Sequence, residues 1–552
     1  MKNILNIIKN NYNKIIVKIE SININIIWFV FLYSLFSLIA FNFKFFNLVY
    51  KIDNSILALS ISFIVFLCIY NAIFILTFQR KLTKFLSILL LLINASILYF
   101  MNTYDAVIDK VMLLNVQETN VGETLELLNT VFISYLFIFA VIPSIFIIKI
   151  NIIYPTWKKE ILYRFISLIL SFIIVITTIL ICYKGLSSTI RQNKRLKHII
   201  IPFNYFDATF GLIQKQIKSN SYTFQDITTD VKYNNVSNKK NLVIFVVGEA
   251  SRNKNWSLSG YEVNTNKYLE KQDLIYFNNF FSCGTSTAIS VPCIFSHLSR
   301  KDFDIDMRNA YSNLLDFLKK ANFNILWREN NSDCKGVCAR IKTDNFTKNK
   351  IHKTLCNSRE CFDEVMIDDL QNKINNNEFN AENNFIVLHQ KGSHGPAYYL
   401  RYPENFEEYS PSCDSEYFNK CSNEEIINAY NNTINYTSYF LNKTIEILQQ
   451  NQKKYNVALI YVSDHGQSLG EKGMYLHGTP YKFAPDEQKH VPFFMWFSND
   501  FKKDFNINTV CLENKKSQEL THDNIFHSVL GLFNIQTQYY KKELDLFSSC
   551  RQ

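Results

Sequence analysis

The sequence predicts an α-helical membrane domain of five transmembrane helices followed by an α/β domain outside the membrane. Three observations lead there. Apolar stretches crowd the first third of the 552 residues, short apolar runs alternate with longer polar segments after about Asn241, and ten of the 12 cysteines lie beyond the last long apolar stretch.

The apolar stretches cover residues 27–41, 56–78, 85–101, 131–148 and 161–183. Most are close to the roughly 20 residues that a spanning helix needs. A signal peptide is the plain alternative for the first, but it has no clear small-residue cleavage site and four more apolar segments follow. The chain is therefore expected to stay anchored and uncleaved.

Orientation follows from Lys and Arg, which favour the cytoplasmic side of short loops. Lys2, Lys9, Lys14 and Lys18 precede the first stretch, Arg80, Lys81 and Lys84 follow the second, and Lys149, Lys158, Lys159 and Arg164 flank the fourth connection. The intervening segments carry only Lys44, Lys51 and Lys110, and the loop between helices three and four collects Asp105, Asp109, Glu118, Glu123 and Glu126. With the N-terminus inside and five spans, everything after Tyr183 lies outside the membrane.

Cysteine usage points to the same side. Cys68 and Cys182 fall within apolar stretches, whereas Cys283, Cys293, Cys334, Cys338, Cys356, Cys361, Cys413, Cys421, Cys511 and Cys550 lie beyond them. An even set with several close pairs reads as a disulfide framework in an oxidising compartment. Their spacings are not those of a zinc ribbon. Sequential pairing is the simplest connectivity.

The formal net charge of +10 is modest for this length, and part of it sits on the cytoplasmic flanks, so nucleic-acid binding is not indicated. The basic run Arg191, Lys194, Arg195 and Lys197 fits a linker lying on membrane lipids. The expected division is 1–184 for the transmembrane domain, 185–240 for a membrane-surface linker and 241–552 for the outer domain.

Within that outer domain, residues 242–247, 323–327, 385–388 and 457–462 are short enough for buried strands, and each leads into a polar segment. Ligands of open α/β sheets bind beyond the carboxyl ends of the strands, so Glu249, residues 328–335, 389–394 and 464–477 are expected to converge on one crevice. Asp464 and His465 offer oxygen and nitrogen ligands suited to Zn²⁺. Glu249 alone is a weaker sign, because a lone strand-end carboxylate is more often a cap. In the loop 283–293, Thr285, Ser286 and Thr287 are all possible nucleophiles if a metal or base activates them. At least one merely satisfies turn backbone groups. Upstream, Asn115, Thr119 and Glu123 are spaced by four and share one helical face.

Several motifs together resemble one family. Gly248-Glu249, the Cys-Gly-Thr-Ser-Thr-Ala loop from Cys283, Asn330-Asn331-Ser332-Asp333-x-Lys335-Gly336, His389-Gln390-x-Gly392-x-His394-Gly395-Pro396, and Asp464-His465-Gly466 with Tyr475-Leu476-His477-Gly478 resemble the lipid A phosphoethanolamine transferases, which include the mobile colistin-resistance enzymes. The resemblance spans essentially the whole chain. It implies an alkaline-phosphatase-like (sulfatase-like) fold for the outer domain, with Thr287 as nucleophile and Glu249, Thr287, Asp464 and His465 as ligands of a catalytic zinc. Thr285, Asn331, Lys335, His394 and His477 would hold the phosphoethanolamine phosphate, with His389 beside a second, weaker zinc position. Asn115, Thr119 and Glu123 match the family's loop for lipid substrate handling.

The resemblance further implies a monomeric enzyme of the bacterial inner membrane with its catalytic domain in the periplasm. Phosphatidylethanolamine would lose diacylglycerol, leaving phosphoethanolamine on Thr287 for transfer to lipid A, with polymyxin resistance as the outcome. Two departures stand out: Gly248-Glu249-Ala250-Ser251-Arg252 replaces Gly-Glu-Thr-Ala-Arg, and Asp464-His465-Gly466-Gln467 replaces Asp-His-Gly-Glu. Transfer to core sugars or another glycan, a phosphoglycerol transferase of the lipoteichoic acid type, and a non-catalytic envelope protein are the rivals. A sulfatase activity lacks its Cys/Ser-x-Pro-x-Arg signal.

Overall fold

The apolar third forms helices whose breaks are set by individual polar side chains. In the computed structural model, described for residues 22–53, 55–119, 124, 126–192, 196, 198–219, 223–235, 237–347, 352–357, 360–416 and 418–551, α1 (Ile26–Phe41) starts at Asn25, whose side chain caps the Ile27 N–H at 2.9 Å. It ends at buried Asn42, and α2 (Phe43–Asp53) leaves at a bend of 63°. The Asn42 amide donates to Tyr70 Oη and the Ile201 carbonyl, both at 3.0 Å, and accepts from the Ile201 N–H at 2.9 Å. Those bonds replace the helical ones lost at the bend, as an apolar surround requires. α3 (Ile56–Thr77), α4 (Thr83–Tyr104), α6 (Thr130–Lys149) and the Trp157–Thr178 part of α7 (Trp157–Gln192) are each long and apolar enough to cross a membrane. Counting the bent pair α1–α2 as one span gives five.

The first expected stretch, 27–41, matches α1, and the chain turns just beyond it at Asn42. The segment 185–240 carries the end of α7 and a further helix, α8 (Phe203–Ser219). Of the basic run only Arg191 falls among the described residues, on α7; Lys2, Lys9, Lys14, Lys18 and Glu123 lie outside them, as does the side chain of Cys182.

The chain divides into two compact units, 1–110 with 128–210 and 111–127 with 211–552. Almost all of α5 (Lys110–Glu118) therefore belongs to the outer unit although it follows α4 in the chain.

The outer unit is built on a seven-stranded sheet ordered β2-β7-β6-β1-β5-β3-β4. Its strands are β1 (Lys240–Gly248), β2 (Leu274–Phe277), β3 (Asn324–Glu329), β4 (Lys342–Asn345), β5 (Asn383–His389), β6 (Tyr455–Ser463) and β7 (Phe493–Phe497). β6, β1, β5 and β3 run parallel to one another, and β7 runs opposite to both strands it pairs with, β2 and β6. Strands covered on both faces read as unbroken apolar runs, which is why 242–247 and 457–462 show no alternation. All four of these parallel strands end at the same edge of the sheet. Among the helices of this unit are α9 (Thr287–Ile294), α10 (Leu314–Lys320), α11 (Asn423–Asn451) and α12 (Asp523–Leu532). The cysteines pair sequentially, as Cys283–Cys293, Cys334–Cys338, Cys356–Cys361, Cys413–Cys421 and Cys511–Cys550.

Candidate active site

The ends of β1, β3, β5 and β6 bring Glu249, Glu329, His389 and Asp464 to one place. Register does this: Val247 of β1 lies opposite His389 and Val462, and Gly248 opposite Ser463, so the next residue of each strand points into the same crevice. The Asp464 N–H donates to the Gly248 carbonyl at 2.9 Å, and Asp464 Oδ1 accepts from the Ala250 N–H at 3.1 Å. α11 clamps the turn after Glu249, because Tyr430 Oη donates to the Ala250 carbonyl at 2.8 Å and accepts from the Arg252 N–H at 2.9 Å.

Glycine is needed where the loop after β5 crosses this turn. A Cβ on Gly392 would stand 2.7 Å from the Glu249 carbonyl, and its φ of +51 already lies in the left-handed region. Asp363 holds that loop down, accepting from Asn330 Nδ2 and the Lys391 and Gly392 N–H groups. Burial raises the Asp363 pKa in spite of those donors.

Thr287 is the first residue of α9, so its hydroxyl sits at the positive end of a helix. It donates to Glu249 Oε2 at 3.0 Å and lies 3.3 Å from His465 Nε2. His465 donates through Nδ1 to the Gly466 carbonyl at 2.8 Å, which presents Nε2 to the crevice, 3.3 Å from Glu249 Oε1 and 3.4 Å from Asp464 Oδ2. Those two oxygens are buried with no hydrogen-bond partner among the described residues. One ligand atom from each of Glu249, Asp464 and His465 falls within 4.8 Å of the others, so the three form a candidate metal-binding group.

Burial alone would raise the Glu249 pKa, but the charges of His465, His394 and His477 hold it well below the usual carboxylate range. Burial and the Glu249 charge push Asp464 up to about 7. Burial disfavours imidazolium at His465, yet Asp464 and Glu249 lift it to about 9. Two buried carboxylates this close are stabilised by a positive charge beside them, which the His465 imidazolium supplies at 3.3 and 3.4 Å and which a bound metal ion would supply in its place.

Asn331, His389 and His477 lie beside this centre. Asn331 Nδ2 donates to Glu249 Oε2 at 2.6 Å and lies 3.4 Å from His389 Nε2. His389 Nδ1 meets Glu329 Oε2 at 2.9 Å; burial works against its proton, and the Glu329 charge raises its pKa nonetheless. His477 packs over His465 at 4.3 Å between ring centroids and lies 5.4 Å from His394. The Thr285 hydroxyl donates to the Thr479 carbonyl at 2.6 Å, so it fixes the His477 turn from below. Ser286 is the N-cap residue of α9, but its buried hydroxyl caps nothing and has no partner among the described residues. Lys335 donates to Ser332 Oγ at 3.0 Å. Asn115 Nδ2 comes within 3.8 Å of where a Cβ on Gly478 would stand, whereas the Thr119 hydroxyl turns back to the Asn115 carbonyl at 2.6 Å.

Sequence reasoning placed Glu329 in the crevice only as part of 328–335 without a role, and missed Asp363 and His522. Glu329 has the same signal as Glu249, a carboxylate ending an apolar strand. His522 had none: its Nδ1 accepts from the Cys283 N–H and its Nε2 donates to the Ser463 carbonyl, each at 3.0 Å, joining the nucleophile loop to the end of β6.

This geometry and sequence recur in known proteins. The Sulfatase family model matches residues 241–535, and that of Phosphoethanolamine transferase EptA/EptB matches 66–217. Phosphoethanolamine transferase EptA of Salmonella typhimurium is 37% identical over 490 residues, 88% of either chain. The chain belongs to the EptA phosphoethanolamine transferase family. Phosphatidylethanolamine transferase Mcr-1 of Escherichia coli is 36% identical over 501 residues, 89% of this chain and 90% of the relative. The structure of the integral membrane lipooligosaccharide phosphoethanolamine transferase A (EptA) from Neisseria meningitidis superposes with a TM-score of 0.91 at 32% identity, covering 96% of this chain and 100% of that one.

The departures from the EptA pattern have local accounts. Ala250 adopts φ +53 in the clamped turn, and Ser251 Oγ accepts from Trp256 Nε1 at 2.8 Å. Gln467 accepts from His477 Nδ1 at 2.8 Å and donates to Tyr398 Oη at 2.8 Å, so its amide serves two partners at once.

Proposed function

We propose that this chain transfers phosphoethanolamine from phosphatidylethanolamine to lipid A in a bacterial inner membrane, with the outer unit in the periplasm and Thr287 carrying the group between them. The carrying observation is the Thr287 hydroxyl, 3.0 Å from Glu249 Oε2 at the head of α9 and beside two buried carboxylate oxygens that have no hydrogen-bond donor among the described residues. The donor is supported by the name of Mcr-1, a phosphatidylethanolamine transferase, and the acceptor by the Neisseria relative, which acts on lipooligosaccharide.

Glu249, Asp464, His465 and Thr287 are the residues that would hold zinc, whose charge would lower the hydroxyl pKa and shield the phosphate. Glu249 takes the hydrogen bond of the Thr287 hydroxyl and so gives its proton a first acceptor. As Thr287 Oγ bonds to phosphorus, the bond to the diacylglycerol oxygen breaks, and that oxygen leaves as a hydroxyl once protonated. Lys335, His394 and His477 face the phosphate, and Asn331 orients Glu249 through its 2.6 Å bond. An oxygen of the acceptor phosphate then bonds to the phosphorus of the phosphoethanolamine carried on Thr287, the phosphorus–Oγ bond breaks, and Thr287 Oγ takes back a proton. The enzyme acts as a monomer on membrane lipids, and the modified outer surface resists polymyxins.

The test is a comparison of wild type with Thr287→Ala. Purified wild-type chain releases diacylglycerol from phosphatidylethanolamine and contains zinc by elemental analysis, and cells expressing it carry phosphoethanolamine on lipid A by mass spectrometry. Thr287→Ala abolishes the transfer. Undiminished modification by the variant, or modification of core sugars only, overturns the reading.

A further inference from the structure

We propose that Glu118 and Lys335 form a charge-matched subsite that reads the phosphoethanolamine head group as a zwitterion, Lys335 taking the phosphate and Glu118 the primary ammonium. This rests on the phosphoethanolamine reading above. Glu118 closes α5, and α5 lies directly on the nucleophile helix, with Leu114 packed against Ala288 and Ile289 of α9. Four residues further along the same face, Glu118 reaches the Lys335 loop.

Its two oxygens differ. Oε1 meets Arg308 at 2.6 Å, while Oε2 stands 3.6 Å from Lys335 Nζ and is buried without a hydrogen bond among the described residues. A carboxylate has about four acceptor sites, so Oε2 retains capacity for a donor. Side-chain exposure is 16% for Glu118 and 4% for Lys335, and a pair this sheltered gives up its partner only for an equal charge.

Phosphatidylethanolamine provides that exchange. Its phosphodiester carries one negative charge and its ammonium one positive charge, so replacing the Lys335–Glu118 contact with two substrate contacts leaves the local charge unchanged. Phosphatidylglycerol brings the negative charge alone and would set it beside Glu118. Glu118 is the buried carboxylate beside Lys335 that keeps an oxygen without a hydrogen-bond donor among the described residues, whereas Asp333, 3.7 Å from Lys335, is exposed to water.

The experiment compares diacylglycerol release by the full-length enzyme from phosphatidylethanolamine and from phosphatidylglycerol in the same detergent micelles. Glu118→Gln keeps the shape and removes the charge, so kcat/KM for phosphatidylethanolamine falls about 10- to 100-fold, as loss of one charge-assisted hydrogen bond implies. The value for phosphatidylglycerol holds or rises, and Glu118→Asp recovers part of the preference. Equal losses on both donors, or none, overturn the proposal. A second measurement needs no variant: wild type should turn over N-acetylated phosphatidylethanolamine, which lacks the ammonium, as poorly as Glu118→Gln turns over the parent lipid. Equal wild-type rates on the acetylated and parent lipids overturn it. Failure of wild type to release diacylglycerol from phosphatidylethanolamine would instead refute the proposed function itself.

Discussion

Gln467 is fully buried and divides its amide between two neighbours, His477 Nδ1 and Tyr398 Oη, each at 2.8 Å. Glutamate there would keep both contacts if the tyrosine hydroxyl turned to donate, whereas leucine withdraws both and leaves polar atoms buried. Gln467→Leu should therefore cost about 1–3 kcal/mol of stability per group left unsatisfied and lower transfer, with Gln467→Glu near wild type in both. Thermal melts and diacylglycerol release check this, and a Gln467→Leu protein as stable and active as wild type contradicts it. His522 makes a separate, pH-dependent claim. Burial, helped by the charge of His465 and opposed by the bond to the Ser463 carbonyl, lowers its folded pKa to about 3 from 6.5, and the neutral ring bridges the Cys283 N–H and that carbonyl. The unfolded state then binds more protons between those values, so this contribution is complete above pH 6.5 and is lost as pH falls towards 3. The loss is about 2 kcal/mol by pH 5. Urea titrations at pH 7 and 5 should show that loss in wild type and a smaller one in His522→Asn; identical pH dependence would refute the assignment.

At the scale of elements, the disulfide Cys283–Cys293 spans the nucleophile loop with a sequence separation of 10, for which loop-closure entropy gives about 2.5 kcal/mol. The Cys283→Ser, Cys293→Ser double variant should lose roughly that stability, and its kcat should fall more than its KM rises, because Thr287 is displaced rather than the lipid contacts. An unchanged kcat would show that α9 holds Thr287 unaided. The loop and the strands β1, β3, β5 and β6 were legible in the sequence because each signal is local: an unbroken apolar run ending in a polar residue. The bend at Asn42 was not, since its cause is a set of hydrogen bonds to Tyr70 and Ile201 from distant parts of the chain. Choosing Thr287 among three hydroxyls was likewise beyond composition, and the resemblance supplied it. The geometry adds that the Thr285 hydroxyl is committed to the Thr479 carbonyl while Thr287 faces Glu249. The place of α5 escaped for the same reason as Asn42, as ion pairs from Glu118 to Arg308 and Lys335 leave no periodic trace.

Over the whole molecule, the segment 111–127 is a piece of the outer unit delivered from between two membrane helices. Its second anchor is Glu126, 2.6 Å from Arg401, a buried guanidinium that Glu360 also engages and that donates to the His394 carbonyl at 2.6 Å. Burial works against that charge, and Glu126 and Glu360 together raise the Arg401 pKa above its ordinary value. Removing the cation from the full chain strands two carboxylates, and breaking a buried pair typically costs about 3–5 kcal/mol. An outer domain expressed from residue 223 onwards lacks Glu126, so there Arg401 faces Glu360 alone and its removal strands one. Arg401→Met should therefore destabilise the full chain more than it destabilises the excised domain, and Glu126→Gln in the full chain should bring the two penalties together. The readout is unfolding of the outer unit followed by fluorescence of its buried Trp256 and Trp327, with the other tryptophans replaced by phenylalanine. Equal penalties in the two contexts would mean that the 111–127 segment does not anchor through Arg401, and that the His394 loop stands without it.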